Sequence, residues 1–105
     1  MILYVVKSEM YRLISKGWGN GYVAVPPNHP AYKMDYDTIM YPLDVHGGLT
    51  YSNFGDGVDA PEDWWVFGFD TSHYMDNILI WPKEAVEAET KRLFCQLLDI
   101  DLGGL

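Results

Sequence analysis

The chain has 105 residues, of which 49% are hydrophobic, and its 15 acidic residues against 7 Lys and Arg give a net charge of −8. This length and apolar content predict one domain with a packed core and exclude a disordered chain. The acidic balance disfavours direct binding to nucleic acid, because phosphate backbones are bound by clusters of cations. Either solubility or an acidic surface that binds a protein partner explains the charge.

Cysteine content and hydropathy bound the cellular location. Cys95 is the single cysteine, so no intramolecular disulfide can form. The longest apolar run extends from Ile2 to Val6 without a basic leader, far short of the roughly 18 residues of a membrane helix. We therefore expect a cytoplasmic protein without a membrane segment.

The N-terminal third predicts two strands with a short helix between them. Ile2 to Val6 is rich in residues that favour strands. Ser8 to Gly17 predicts the short helix, because its first residue can cap a helix, its glycine can end one, and its apolar residues have helical spacing. Tyr22 to Val25 predicts the second strand. Asn28 to Asp37 predicts a long irregular loop that either covers the sheet or carries function.

Two later stretches alternate with the period of two that a strand requires. From Val45 to Ser52, one face carries Val45, Gly47, Leu49 and Tyr51, and the other carries His46, Gly48, Thr50 and Ser52. From Trp64 to Asp70, one face carries Trp65, Phe67 and Phe69, and the other carries Trp64, Val66, Gly68 and Asp70. We expect the apolar faces to enter the core and the glycine-bearing faces to stay uncovered.

The C-terminal stretch from Pro82 to Ile100 predicts the longest helix. Proline suits a first helical turn, and acids precede Lys91 and Arg92 in the order that suits the helix dipole. Val86, Leu93, Leu97 and Ile100 form its apolar stripe. We predict a single α+β domain over residues 1–105. It has a small antiparallel sheet of about four strands packed on this helix, and a short N-terminal helix.

The uncovered face is the predicted site for a small polar ligand. Glycines without a Cβ leave a hollow, Trp64 can stack on a flat ring, and the Gly47–Gly48 amides can hold an anionic oxygen if they form a nest. The alternative is that these glycines mark a bulge or a close loop contact. The predicted ligand-binding residues are His46, Gly47, Gly48, Thr50, Ser52, Trp64, Gly68, Asp70 and His73.

Metal binding and catalysis are weaker alternatives. His46, Asp70, His73 and Asp76 are metal-ligand types, but their spacing matches no strong motif, and Asp70 equally suits a turn or a helix cap. Ser52 or Thr50 could act as nucleophile beside His46 or His73, yet no nucleophile elbow is present. The sequence therefore assigns no catalytic residue, metal or cofactor. His29 and His73 are expected to be partly exposed polar residues.

Four segments carry a resemblance to a known group of proteins: Gly21–Pro26, Asn28–Pro30, Val45–Ser52 and Gly68–His73. Together they resemble a family of small, mostly uncharacterised proteins of phages and prophage-bearing bacteria, over roughly residues 20 to 95. The resemblance implies location in a host cytoplasm and action against host defence, by sequestering a nucleotide-derived signal or by occluding a defence protein. A small polar ligand and a host protein are thus the expected partners, and homo-oligomerisation stays open.

Overall fold

The computed structural model describes residues 4–10, 17–41, 43–73 and 76–102, with side chains described at 17–41, 43–73 and 76–100. The strands are β1 (Tyr4–Met10), β2 (Gly19–Val25), β3 (Tyr51–Phe54) and β4 (Trp65–Phe69). One helix, α1 (Lys83–Leu102), follows them. The strands form an antiparallel sheet in the order β1-β2-β4-β3. The predicted α+β class, with an antiparallel sheet and a C-terminal helix, is confirmed.

The short helix predicted to begin at Ser8 does not begin there. Ser8, Glu9 and Met10 are the last residues of β1 and lie opposite Gly21, Asn20 and Gly19 of β2. Backbone hydrogen bonding to a neighbouring strand therefore overrides the local helical spacing. The rest of the predicted helix, residues 11–16, lies outside the described residues.

The main core lies between the sheet and α1, as predicted. Trp65, Phe67 and Phe69 of β4 are buried there beside Val23 and Val25 of β2. The helix contributes three fully or almost fully buried residues from its predicted stripe, Val86, Leu93 and Leu97. Helix α1 packs across β2 and β1. The period-two and helical patterns therefore identify both sides of this core correctly.

The other face of the sheet is covered, which contradicts the predicted open face. Ala24 and Val66 are buried there together with Ala60, and Tyr22 and Trp64 pack against them. Ala60 belongs to the long connection between β3 and β4, which folds back over the sheet. Because the α1 side is also covered, all five residues of β4 are buried. A single apolar residue such as Ala60 in a long connection does not indicate, from the sequence alone, that the connection covers the sheet.

Strand β3 is shorter than predicted, and its faces are inverted. Gly47 and Gly48 have φ values of 68° and 80°, which end any extended strand, so β3 begins only at Tyr51. Tyr51 lies opposite Gly68, and Ser52 lies opposite Phe67. Residues directly opposite in a sheet share a face, so Ser52 lies on the core-facing side and Tyr51 does not. A displacement of one residue in register reverses every side chain of a strand.

The loop after β2 covers one end of the core, and its histidine is buried rather than exposed. His29 is 3% exposed. Its Nδ1 accepts a hydrogen bond from the Ala31 amide at 2.9 Å, so Nε2 carries the proton and donates to the Leu97 carbonyl at 2.8 Å. His29 therefore ties this loop to α1. Within the described residues, no helix combines the length and hydropathy needed to cross a membrane.

Candidate functional site

The predicted site residues separate into two groups. His46 and Gly47, in a turn over residues 45–48, meet Asp70 and His73, in the loop that follows β4. Gly48 belongs to the same turn. The other four, Thr50, Ser52, Trp64 and Gly68, lie along the sheet and its β3–β4 connection. The site described here is therefore the junction of two loops, and we call His46, His73 and Asp76 the imidazole cluster.

The turn that carries His46 depends on its two glycines. The Gly48 amide donates to the Val45 carbonyl at 2.9 Å, which closes the turn. A positive φ at the third residue, Gly47, is the pattern of a type II turn and favours glycine. A Cβ at Gly47 would collide with the ring of His73, whereas no atom lies within 4 Å of a Cβ built at Gly48. The absence of a side chain at Gly47 thus lets the His73 ring pack against the turn, and the space next to Gly48 is open.

Helix α1 holds this turn in place through one polar face. The His46 amide donates to Oε2 of Glu89 at 2.6 Å. Arg92 donates to Oε1 of Glu89 at 2.8 Å and to the Asp44 carbonyl at 2.6 Å. Gln96 accepts from the Asp44 amide at 2.7 Å and donates to its carbonyl at 2.9 Å. The backbone at residues 44–46 is therefore fixed before His46 makes any side-chain contact.

The acid–base properties of Glu89 follow from these contacts. Partial burial alone would raise the pKa of Glu89, but the hydrogen bond from Arg92 and that from the His46 amide outweigh it and lower the pKa. Glu89, in turn, raises the pKa of Arg92. Glu89 is thus a carboxylate at neutral pH and a steady acceptor for the turn.

Asp76 is the centre of the imidazole cluster. Its Oδ1 lies 2.8 Å from Nε2 of His46, and its Oδ2 accepts from the His73 amide at 2.9 Å. Burial would raise the pKa of Asp76, but these bonds and the attraction of both imidazoles outweigh it and lower the pKa. An ionised carboxylate can only accept, so His46 donates through Nε2. The Asp76 side chain is 5% exposed, which makes it the interior member of the cluster.

His73 completes the cluster with an unsatisfied ring nitrogen. Its Nδ1 lies 3.1 Å from Oδ1 of Asp70 and 3.4 Å from Oδ2 of Asp76. Neither contact forms a hydrogen bond, so this buried nitrogen has no hydrogen-bond partner among the described residues. A buried polar atom left without a partner is costly and unusual. The His73 side chain as a whole is 35% exposed.

Aromatic contacts orient the His46 ring. The rings of His46 and His73 meet edge to face, with centroids 5.5 Å apart. The indole of Trp81 lies against His46 with centroids 4.1 Å apart and an interplanar angle of 35°. His46 is therefore fixed by its backbone, by Asp76 and by a flat aromatic surface. Its side chain keeps 24% exposure, so a ligand can reach it.

Asp70 mainly shapes the loop. Its Oδ1 accepts from both the amide and the hydroxyl of Ser72, each at 3.1 Å. This is the turn role that the sequence left open for Asp70. Asp70 is therefore near His73, but its carboxylate is already used in the loop that presents the imidazole.

The four remaining predicted residues contact other parts of the protein rather than the imidazole cluster. Ser52 accepts from the Tyr36 amide at 3.0 Å, and the Thr50 amide donates to the Gly68 carbonyl at 2.9 Å. Trp64 packs on the Ala24, Ala60 and Val66 cluster. The hollow expected at Gly68 is filled, because a Cβ there would meet the ring of Tyr22. Contacts in the structure therefore join five of the nine predicted residues at the loop junction, while these four have other neighbours.

Sequence reasoning underrated Asp76 and missed Trp81, Glu89 and Arg92. Asp70, His73 and Asp76 are spaced three residues apart. This spacing indicated that their side chains could lie on the same side of the loop. Glu89, Arg92 and Gln96 share a helical face, but a polar stripe does not reveal which loop it binds. Contacts between residues 30 to 50 positions apart depend on the tertiary fold.

Comparison with known proteins found no match for this chain. No protein-family model matches it, and neither a curated protein nor a solved structure shows significant similarity to it.

Proposed function

We propose that the protein is a non-catalytic binding protein for a small polar ligand that contacts His46 and His73 beside Gly48. The observation that carries the proposal is the convergence of two partly exposed imidazoles from distant parts of the chain, next to open space at Gly48. Imidazoles exchange hydrogen bonds with polar groups, and their faces pack on flat rings. A nucleotide-derived molecule has both features.

The phage-family resemblance gives this proposal its biological context. A small protein that sequesters a nucleotide-derived signal would blunt host defence in the host cytoplasm. Its binding site needs specificity and a slow off-rate rather than a catalytic group. Arg92, the cation tied to the turn, is already paired with Glu89 and Asp44. The charge of an anionic ligand must therefore be balanced in another way.

Thermal unfolding with a panel of cyclic nucleotides and ADP-ribose derivatives tests the proposal. A ligand present at 100 times its Kd stabilises the folded state by about 2.7 kcal/mol, which raises Tm by roughly 10 °C in a domain of this size. We expect at least one compound to do so, and His73→Ala to abolish the shift while Trp64→Ala preserves it. Absence of any shift, together with no co-purified small molecule by mass spectrometry, would contradict the proposal.

A second candidate function is inhibition of a host defence protein by direct binding. It is favoured by the turn at Ile78, Leu79 and Ile80, whose residues are 41%, 89% and 63% exposed. Exposed apolar groups in an acidic protein are typical of a protein-binding surface. This candidate predicts a salt-sensitive complex with a host protein that Leu79→Ser weakens and His73→Ala leaves intact, measured by pull-down from host lysate.

A further inference from the structure

We propose that the imidazole cluster binds one divalent transition metal ion of the zinc type through Nε2 of His46, Nδ1 of His73 and the Asp76 carboxylate. One ligand atom from each residue lies within 4.8 Å of the other two. Imidazole and carboxylate are the neutral and anionic ligands that zinc uses besides thiolate. Two histidines and one carboxylate leave a coordination position open, as in metal sites that also take an external ligand.

The buried Nδ1 of His73 supports this site. This atom is buried, has no hydrogen-bond partner among the described residues, and faces the carboxylates of Asp70 and Asp76 at 3.1 Å and 3.4 Å. A cation between the ring and Asp76 would use the lone pair of Nδ1 and remove the cost of burying it. A purely structural histidine is expected to resemble His29, both of whose ring nitrogens are satisfied.

The ligand atoms lie within 4.8 Å of one another and must adjust on metal binding. Bonds of about 2.1 Å at a tetrahedral angle hold two ligand atoms about 3.4 Å apart. Nε2 of His46 and Oδ1 of Asp76 are now 2.8 Å apart, so they must separate by about 0.6 Å. The metal ion takes the place of the proton on Nε2 of His46, and that proton passes to solvent. The net charge of −8 favours the exchange of a proton for a divalent ion.

The groups around the cluster restrain its ligands. The Glu89 carboxylate holds the His46 amide, and Trp81 lies against the His46 ring. The Asp76 amide donates to the His73 carbonyl at 3.0 Å, which keeps these two ligands together. Restraint of this kind lowers the loss of side-chain freedom when the ion binds.

The open coordination position links the metal to the ligand, and this link rests on the proposed function. A bound zinc ion would supply the positive charge that an anionic ligand needs and that Arg92, paired with Glu89 and Asp44, does not provide. The external ligand is then a molecule with an anionic oxygen, such as a phosphate or carboxylate group, which enters the coordination sphere of the ion.

Calorimetric titration of chelator-treated protein with zinc chloride tests the metal site. We expect one ion per chain, and affinity at least about tenfold lower in His73→Gln and Asp76→Asn, because even groups that only orient metal ligands contribute 10- to 100-fold. Asp37→Asn removes the same charge from an exposed loop and should bind zinc as the wild type does. No binding by the wild type, or equal affinity in all variants, would overturn the proposal.

A spectroscopic measurement avoids dependence on the folding of the variants. Cobalt(II) added to the wild-type protein should produce visible absorption bands of a nitrogen- and oxygen-ligated ion, and zinc should displace them with a stoichiometry of one. Spectra identical to free cobalt(II) would contradict the site even if both variants were unfolded by circular dichroism.

The metal site and the proposed function can fail separately. Inorganic phosphate and the nucleotide panel are titrated into wild-type protein with and without zinc. If zinc binds but none of these compounds binds with or without it, the metal site is supported and the ligand-binding function is contradicted. Nucleotide binding of equal affinity with and without zinc supports the function and overturns the link between metal and ligand.

Discussion

The three histidines differ in what satisfies their ring nitrogens. His29 is buried, and both of its nitrogens are hydrogen-bonded, so its role is to join a loop to the helix. His46 uses Nε2 to donate to Asp76 and remains 24% exposed. His73 has one buried nitrogen without a hydrogen-bond partner among the described residues, and its side chain is the most exposed of the cluster. The imidazole groups that a ligand can contact are therefore those of His46 and His73.

Alanine substitutions at the two glycines of the His46 turn should differ in their effect on stability. Both glycines have positive φ, a conformation that costs other residues about 1–3 kcal/mol. At Gly47 the new methyl group must also displace the His73 ring, whereas at Gly48 it enters open space. We expect Gly47→Ala to lower the free energy of unfolding by more than Gly48→Ala does, as measured by urea denaturation. Equal losses would contradict the ring contact.

Asp56 should titrate below its ordinary pKa. Its Oδ1 accepts hydrogen bonds from the amides of Val58 and Asp59, each at 2.8 Å, and these bonds lower its pKa below the ordinary 3.8. Since the pKa is lower in the folded state, the carboxylate stabilises this loop above pH 3.8, and the effect is lost as pH falls through the folded-state pKa.

Carbon-13 NMR of the Asp56 carboxyl group measures this effect. The titration midpoint should lie below 3.8, and the protection factors of the Val58 and Asp59 amides, which are corrected for the intrinsic pH dependence of exchange, should fall below it. Asp56→Asn keeps an oxygen acceptor and should make these protection factors independent of pH while leaving the loop closed. A midpoint at or above 3.8 would show that the Asp56 hydrogen bonds are absent.

At the scale of elements, α1 positions the site through residues outside the imidazole cluster. Glu89→Ala removes the acceptor of the His46 amide and leaves that donor exposed to exchange. Hydrogen bonds to charged groups contribute about 1.5–3 kcal/mol, so protection of this amide should fall by tenfold or more. Hydrogen–deuterium exchange measures the change.

Glu87→Ala is the matched control on the same helix. Glu87 is exposed and forms an ion pair with Lys83 at 3.8 Å, a contact of little energetic value. We expect the exchange of the His46 amide to be unaffected in this variant. If both variants accelerated exchange equally, general loss of helix stability would be the cause rather than loss of the contact to the turn.

Gly68 illustrates how three strands cooperate at one position. It lies between Tyr22 of β2 and Tyr51 of β3, whose rings meet edge to face at 5.4 Å. Aromatic rings that cover a strand glycine compensate for the side chain it lacks. The glycine here makes room for tyrosine rings of the protein itself, which explains why it was a poor marker of a binding hollow.

Gly68→Ala therefore should destabilise the protein, although alanine normally suits a strand better than glycine. The added methyl group would strike the Tyr22 ring, and such overpacking costs about 1–3 kcal/mol. In the double variant with Tyr22→Ala, the two losses should be clearly less than additive, as measured by denaturant unfolding. A stabilising Gly68→Ala substitution would mean that the hollow at Gly68 is open.

For the whole molecule, short-range patterns predicted the core better than the site. Alternation in Trp65–Phe69 and helical spacing at Val86, Leu93 and Leu97 report directly on burial, so the main core was predictable. The β3 register was not, because Gly47 and Gly48 read equally well as strand residues or as a turn. The cluster joins residues 46, 73 and 76 through loops, whose course no local pattern specifies.

The acidic charge and the covered sheet together restrict where a ligand can bind. Since Tyr22, Ala60 and Trp64 close the sheet face, the accessible imidazoles at the loop junction are the best-supported binding groups among the described residues. A metal ion there would also offset part of the net charge of −8. The proposed function and the metal site therefore depend on the same few side chains.

Imidazole nitrogen-15 NMR during a zinc titration tests this account most directly, with His29 as an internal control. The ring signals of His46 and His73 should shift together and saturate at one ion per chain, while those of His29, whose nitrogens are both bonded within the fold, should stay unchanged. Unchanged signals from His46 and His73, or equal shifts in all three histidines, would contradict it.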